Sequence, residues 1–354
     1  MYILRLLCCV TLCVSQTTLA AQQCPDIGLL DKSGQYIILD KDNLKLKKVG
    51  DLRWLDINDI NAPTQSSTID KPVIHIDRYV TSNISPSEDG GFAVLPPLIS
   101  YSPSMEKPKL ISSNKTLTKQ VFSNGVAFFS NESGDLVGEI YNFLDSDNNG
   151  KSIIKRYANT KYHFNTRVCS QNDSYYLLHD GQYFSMANSH SPRKNLNELI
   201  GIDDFYINAQ YQCNFIVQER SSNKPKNNHI VINPANDTKT SQFASYLYAK
   251  YFIYGETPTV IQQKITKTSL NGFPNAYTSH YQPQVMKTQF DQNGKLISQK
   301  EYTIEGEIEK VVCPAGDAKL VVKESNKIKL IELENFKTLG EFEHPFKYKQ
   351  VFVL

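Results

Sequence analysis

Asp145-Ser146-Asp147-Asn148-Asn149-Gly150 is the stretch whose residue types and spacing come nearest to chemistry. The D-x-D-x-N-G pattern sets Asp145, Asp147 and Asn149 at alternate positions of a tight loop. Hard cations such as calcium take several oxygen ligands at about 2.3–2.6 Å, and the glycine permits the sharp bend. Calcium is thus the one cofactor the residues offer. Half of its shell is missing: Arg156 stands where a calcium loop closes on a bidentate Glu, and Ile153 stands where a further ligand would fall. The competing reading is an ordinary hairpin turn between strands at 141–144 and 153–157, for which Asn and Gly are the usual residues.

Other chemistry is scattered. The seven histidines are 75, 163, 179, 190, 229, 280 and 344. His179-Asp180 and His75 with Asp77 come closest to acid–base pairs, and the latter two would share one face of a strand because side chains repeat every two residues. An isolated His beside an Asp is usually structural, and a triad assembles only in space. The chain lacks H-E-x-x-H, G-x-S-x-G and a complete phosphate loop. The S-x-x-K spacing occurs at Ser104, Ser112, Ser191 and Ser221 without a K-T-G partner, so it nominates no nucleophile. No catalytic residue is assigned, and the balance leans away from an enzyme. N-x-[ST] sequons at Asn83, Asn114, Asn131, Asn172 and Asn236 become glycosylation candidates if the source secretes through an endoplasmic reticulum.

The N-terminus indicates export. Arg5 precedes an apolar run from Leu6 to Val14, and Thr18-Leu19-Ala20 presents small residues for cleavage after Ala20, so 1–20 reads as a signal peptide. The run is too short to span a bilayer, no later segment is apolar enough to do so, and no lipid-anchor pattern surrounds Cys13 or Cys24. Four cysteines then remain, Cys24, Cys169, Cys213 and Cys313, an even number that in an exported chain implies two disulfides. Of three connectivities, Cys169–Cys213 with Cys24–Cys313 is preferred, because the second pair ties the two ends of the chain together. The compartment is the periplasm or the extracellular space. With Arg5 removed, 37 basic residues face 36 acidic ones, which gives no electrostatic reason to expect nucleic acid or an anionic membrane as partner.

The elements that must position these residues are strands. Twenty Tyr and 17 Phe, with many Val, Ile and Thr, favour sheet over helix. Near the C-terminus, Lys319 to Glu324, Ile328 to Glu334 and Thr338 to Phe342 read as a meander with turns at 325–327 and 335–337. The consecutive apolar residues Leu320-Val321-Val322 and Leu330-Ile331 mark strands covered on both faces. The Lys/Glu alternation across the same segment reads as an edge of solvated strands. Strand–turn–strand units recur at 36–46, 125–141, 175–186 and 290–297, the last with the Asn293-Gly294 signal of a two-residue hairpin turn. Thr240 to Tyr254 fits an amphipathic helix, but a hairpin of Tyr248 to Tyr254 with Thr259 to Ile265 fits Pro258 better.

A faint repeat joins two of these units. Val168-Cys169 followed by Tyr175-Tyr176-Leu177-Leu178 lines up with Val312-Cys313 followed by Lys319-Leu320-Val321-Val322 at an offset of 144 residues. Three blades of about 48 residues account for it, and the mature chain then holds about seven. The expectation is an all-β, β-propeller-like fold of seven irregular blades over 21–354, with two β-sandwich domains as the rival. On such a scaffold, loops at one rim would hold a protein partner, as in an envelope assembly factor or a toxin-neutralising immunity protein, and the chain would be a monomer. The loops least explained by packing are 82–91, 219–229 and 269–281. The alternative is a glycan- or peptide-acting hydrolase or lyase, which would gather carboxylates, His or Arg in the central channel.

Overall fold

The computed structural model describes residues 24, 26–31, 35–51, 74–77, 98–101, 109–112, 118–122, 125–133, 135–142, 152–157, 166–171, 174–186, 192–211, 213–220, 228–255, 257–270, 273–313, 317–344 and 348–353. Among these, strands form seven antiparallel sheets taken in chain order, a β-propeller of seven blades. Blade 1 holds β1 (Ile27–Asp31), β2 (Gln35–Leu39) and β3 (Leu46–Asp51), and blade 2 holds β4 (Ile74–Asp77), β5 (Leu98–Tyr101) and β6 (Lys109–Ser112). Blade 3 runs from β7 (Thr118–Phe122) through β8 (Gly125–Glu132) and β9 (Asp135–Asn142) to β10 (Ser152–Tyr157). Blade 4 is β11 (Arg167–Gln171), β12 (Ser174–His179), β13 (Gln182–Ser185) and β14 (Lys194–Asn195), followed by the short helix α1 (Leu196–Ile200). Blade 5 is β15 (Phe205–Tyr211), β16 (Asn214–Glu219) and β17 (Asn228–Asn233), with the pieces β18 (Thr238–Lys239) and β19 (Phe243–Ala244) both pairing β17. Blade 6 is β20 (Ala249–Tyr254), β21 (Thr259–Leu270), β22 (Phe273–Phe290) and β23 (Leu296–Thr303), and blade 7 is β24 (Glu307–Val312), β25 (Lys319–Glu324), β26 (Lys327–Glu332) and β27 (Thr338–Glu343).

The last strand, β28 (Tyr348–Val353), returns to pair with β1, from Ile27↔Val353 to Asp31↔Tyr348, and so completes blade 1 with the far end of the chain. First strands of neighbouring blades meet at the inner edge: β7 touches β11, β15 touches β20, β20 touches β24, and β24 touches β28.

Consecutive apolar residues serve two cores at once. Leu320 and Val322 pack toward blade 6 with Ile261, Val285 and Ile308, whereas Val321 between them packs toward blade 1 with Ile27, Leu29 and Ile37. Leu177 joins Phe129 and Leu136 of blade 3, and Leu178 joins Phe215 and Ile230 of blade 5. Successive side chains on a strand point to opposite faces, so an unbroken apolar run is what a sheet between two sheets requires. The Lys/Glu alternation is not a wet edge: β25 and β26 are the middle strands of blade 7, and Lys319 is buried there. Its Nζ donates to the Lys41 carbonyl at 3.3 Å and pairs with Asp42 Oδ1 at 2.7 Å across the seam to blade 1.

Both expected disulfides bridge neighbouring blades. Cys169–Cys213 joins blades 4 and 5, and Cys24–Cys313 joins blades 7 and 1 beside the closing strand. The repeat falls on equivalent strands of blades 4 and 7, three blades apart. Its facing residues are out of phase, however: Val168 and Leu177 pack toward blade 3, the preceding blade, while Val312 and Val321 pack toward blade 1, the following one.

Turn chemistry is partly as expected. Asp180 and Gly181 are both left-handed (φ 46° and 72°), as a tight two-residue hairpin demands. Asn293-Gly294 is not such a turn. Its loop runs from 291 to 295 and is organised by the Asp291 carboxylate, which accepts the Asn293 and Lys295 amides at 2.9 and 2.8 Å. Gly294 is needed for another reason as well, because a Cβ there would lie 2.6 Å from the Lys239 carbonyl oxygen of blade 5.

Two measurements test this account. Replacing Cys24 and Cys313 together by Ser releases a cross-link spanning 289 residues, and the loop-closure model gives a loss of about 6 kcal/mol in guanidinium melts, against about 4 kcal/mol for the Cys169–Cys213 pair spanning 44. Gly201→Ala, with open space around it, is expected to cost only the left-handed backbone, about 1 kcal/mol. Gly294→Ala should cost a further 1–3 kcal/mol or about that, since the Lys239 carbonyl must move.

Candidate functional site

In an up-and-down blade the connections alternate between two rims. One rim carries the turns from second to third strand together with the links from blade to blade. Inner strands β20, β24 and β28 all start at this rim, and β25 ends there.

A polar cluster stands at that inner edge. Lys250 on β20 pairs with Glu307 on β24, Nζ to Oε1 2.9 Å. The same ammonium lies 5.2 Å from the Tyr281 ring centroid and 5.6 Å from that of Phe252. Lys323 on β25 faces Glu309 at 4.0 Å and sits 4.7 Å over the Tyr348 ring of β28. The Tyr348 hydroxyl donates to Glu309 Oε1 at 3.5 Å, and Tyr281 lies beside the Glu307 carboxylate. Glu309 reaches this position through a β-bulge: Ile308 pairs with Val322 and Lys310 with Val321, which leaves Glu309 as the extra residue. A bulge re-aims the side chain it carries. Asn208 occupies the same place on β15 of blade 5, between Ile207 and Ala209, with exposed Tyr206 before it under the Arg220 guanidinium at 4.9 Å.

Electrostatics follow from crowding. Burial, and then the neighbouring Glu307 carboxylate, push the Glu309 carboxyl above its ordinary range against the pull of Lys250 and Lys323. Burial first and then Glu307 push the Tyr281 hydroxyl up to about 12, and burial with Glu309 raises that of Tyr348. Lys310, deep on β24, is held below the usual lysine range by burial. Two carboxylates and two ammoniums beside phenols can bind a polar group or exchange a proton. Glu307 already accepts from Lys250, and Glu309 from Tyr348 with the Lys323 ammonium 4.0 Å away.

The second feature is the hairpin of blade 6. β20 pairs β21 only as far as Ala249↔Lys264, and β23 pairs β22 only as far as Gln284↔Thr303. Beyond that, β21 and β22 continue as a two-stranded ribbon, from Ile265↔Tyr281 through Thr268↔Thr278 to Leu270↔Phe273. The segment 269–281, expected as an irregular loop, is therefore regular strand over its described residues. The register shift between Gln263 and Ile265 places Pro283 at a bulge, where a residue without an N–H is tolerated, and its carbonyl accepts Ile304 N at 2.8 Å. Ile265 is half-buried, while Thr266, Lys267, Thr268, Ser269, Thr278, Ser279, His280 and Tyr281 are exposed. Asn271-Gly272 between a Thr-containing run and one with Tyr and Thr was the legible signal of this hairpin.

Other nominated residues are placed as follows. Asp145, Asp147 and Asn149 lie outside the described residues, as does 82–91, and among the described residues no group of three His, Cys, Asp or Glu could hold a metal. His75 and Asp77 lie on β4, with side chains outside the described set. His179 is buried, its Nδ1 2.9 Å from Thr166 Oγ1, an inter-strand tie. Of 219–229, Glu219 ends β16, Asn228 and His229 begin β17, and 221–227 lie outside the described residues.

The sequence matches no protein-family model and no curated protein. Among solved structures, the chain is similar to a functionally unknown protein from Desulfotomaculum acetoxidans (TM-score 0.45, 9% identity, 93% of this chain and 98% of that one). It is also similar to dihydro-heme d1 dehydrogenase NirN (0.39, 12%, 93% and 75%) and to hydrazine synthase of Kuenenia stuttgartiensis (0.37, 9%, 67% and 71%). The propeller assignment rests on the strand order and closure described above.

The crowding of Glu309 has a measurable sign. A carboxyl raised in the folded state contributes stability that is fully present below its unfolded value near 4.5 and lost as the pH rises through the folded value. Glu309→Gln keeps an acceptor for Tyr348 and removes the charge. Denaturant melts between pH 4 and 7 are expected to show a flatter pH dependence than the parent, with stability at pH 7 equal or higher by up to about 1 kcal/mol.

Proposed function

We propose that the chain is an exported binding protein that holds a protein partner at the rim bearing the blade 6 ribbon. The observation that carries this reading is the ribbon itself. Among the described residues, the two strands past the blade pair with no third strand and 266–269 and 278–281 are exposed, and an isolated hairpin is at best marginally stable in water. Such an extension contributes little to the propeller, so contact with another molecule is its fitting role. The polar cluster of Lys250, Glu307 and Tyr281 lies at the ribbon's foot, and Arg220 on Tyr206 stands on the adjacent blade, so the surface continues inward from the ribbon. Exposed Tyr and Arg are the side chains that interfaces favour. Two disulfides fit an extracytoplasmic compartment, and among the described residues no helix is long and apolar enough to cross a membrane. Delivery by cleavage after Ala20, and action as a monomer, complete the proposal.

One observation favours the second reading, a hydrolase acting on a glycan or peptide: Glu309 is pushed toward its protonated form beside Glu307, which suits a proton donor next to a carboxylate. Lys250 already donates to Glu307 and Tyr348 to Glu309, and that favours binding.

Affinity capture from the source's own envelope or secreted fraction tests the choice. Replacing 266–280 by a short Gly-Ser turn leaves every blade pairing intact. It is expected to abolish retention of a stoichiometric protein partner without lowering the thermal midpoint. Full capture by the trimmed chain would remove the binding reading, and loss of substrate turnover in Glu309→Gln would support the hydrolase.

A further inference from the structure

We infer that the β20-facing edge of β21, beyond the start of β20, is a strand slot for an extended acidic segment of that protein partner; this rests on the binding reading above. The Ile265 amide donates to the Tyr248 carbonyl at 3.0 Å, the last rung between the second-strand track of blade 6 and the chain entering its first strand. Backbone groups of an antiparallel strand face one neighbour at every second residue. The N–H and C=O groups of Lys267 and Ser269 therefore continue the edge on which Ile265 is bonded. Among the described residues nothing pairs there, because the chain leading to β20 turns aside at 245–248 after β19 has joined β17. An incoming strand would prolong the line of β20 past its first residue.

The surroundings state the occupant's chemistry. Leu247 and Tyr248 lie exposed at the foot of the edge, at 50% and 43%. The Lys267 ammonium sits 4.4 Å over the Tyr248 ring and that of Lys264 5.9 Å from the Tyr246 ring, on opposite faces of the ribbon. Between Thr259 and Phe290 there are three lysines, Lys264, Lys267 and Lys287, and no Asp or Glu. Lys287 is buried on the Leu333 carbonyl, whereas among the described residues no carboxylate pairs with Lys264 or Lys267. Their countercharge has to come from outside the ribbon. The edge offers backbone groups at the repeat of an extended peptide, which a polysaccharide lacks, so the two features together specify an acidic strand, bound by β-augmentation. Apolar contact with Leu247 and Tyr248 would anchor one end.

The test uses the full chain and a fluorescein-labelled, acetylated probe peptide in which Glu alternates with Val and Thr, beside the same peptide with Lys for Glu, titrated by anisotropy at low salt. The acidic probe is expected to bind and the basic one not. Ser269→Pro removes an N–H that the fold leaves unused, at an edge position where proline is tolerated. It should weaken the acidic probe about tenfold with the thermal midpoint unchanged, as should Lys267→Glu. Binding lost in Lys267→Glu but intact in Ser269→Pro, or heparin bound as tightly as the probe, would overturn the slot in favour of simple charge attraction. Absence of probe binding, in a chain whose ribbon deletion still abolishes partner capture, would overturn the slot and leave the binding reading standing. Capture that survives the deletion would remove that reading as well.

Discussion

A sheet that is apolar on both faces needs a neighbour on each side, and a row of such sheets leaves two apolar faces in water unless it closes. This constraint governs the rest of the molecule. Val321 and Leu320 face different blades, as do Leu177 and Leu178 and as do Ile216 and Phe215. Each fully buried side chain of this size is worth about 1.5–3 kcal/mol relative to exposure, so an open arc would forfeit a whole seam. The seam between blades 7 and 1 is accordingly secured three ways. β28 pairs with β1, Cys24 is bonded to Cys313, and the buried Lys319 reaches across to Asp42.

Inner strands of a ring converge, and side chains at their starting ends are crowded together at the rim. The cluster around Glu309 is the chemical outcome. Lysines on β20 and β25 and tyrosines on β22 and β28 offset the repulsion of two carboxylates on one strand. Glu309 joins it from a bulge, next to Ile308, which is buried against blade 6. The ribbon of blade 6 answers a different demand. It leaves the sheet at Pro283, a residue that cannot donate to a ladder, and 266–269 and 278–281 beyond it are exposed.

The parts of this architecture that were legible in the sequence are those set by local pattern. Paired apolar residues announced two-sided burial, Asp180-Gly181 announced a hairpin, and the spacing of four cysteines allowed the observed pairing to be preferred. The 144-residue offset led to the correct blade number even though its residues are out of phase, because the spacing of three blades does not depend on which face a residue takes. What was not legible depends on contacts between blades. Lys319 looks like a solvated residue until Asp42, distant in sequence, is seen beside it. Gly294 reads as a turn former, yet it also makes room for the Lys239 carbonyl. Glu307 and Glu309 carry no signature, since their partners come from four other strands. The ribbon was missed because Pro, Asn and Gly around 271–275 resemble a loop, and the strand pattern on either side is polar on both faces.

The pairing of β28 with β1 also dictates an order of events in time. Blades 3 to 7 are each built from contiguous chain and can form as they emerge, but blade 1 lacks its inner strand until the final residues are available. Contacts of such large sequence separation are slow to form, since the closure entropy of nearly the whole chain precedes any reward. Until then the apolar faces of blades 7 and 1 and the bare edge of β1 stay open, and an open strand edge is a template for another chain. Truncation of the last few residues would thus act as a defect of assembly and solubility, felt at the opposite end of the sequence.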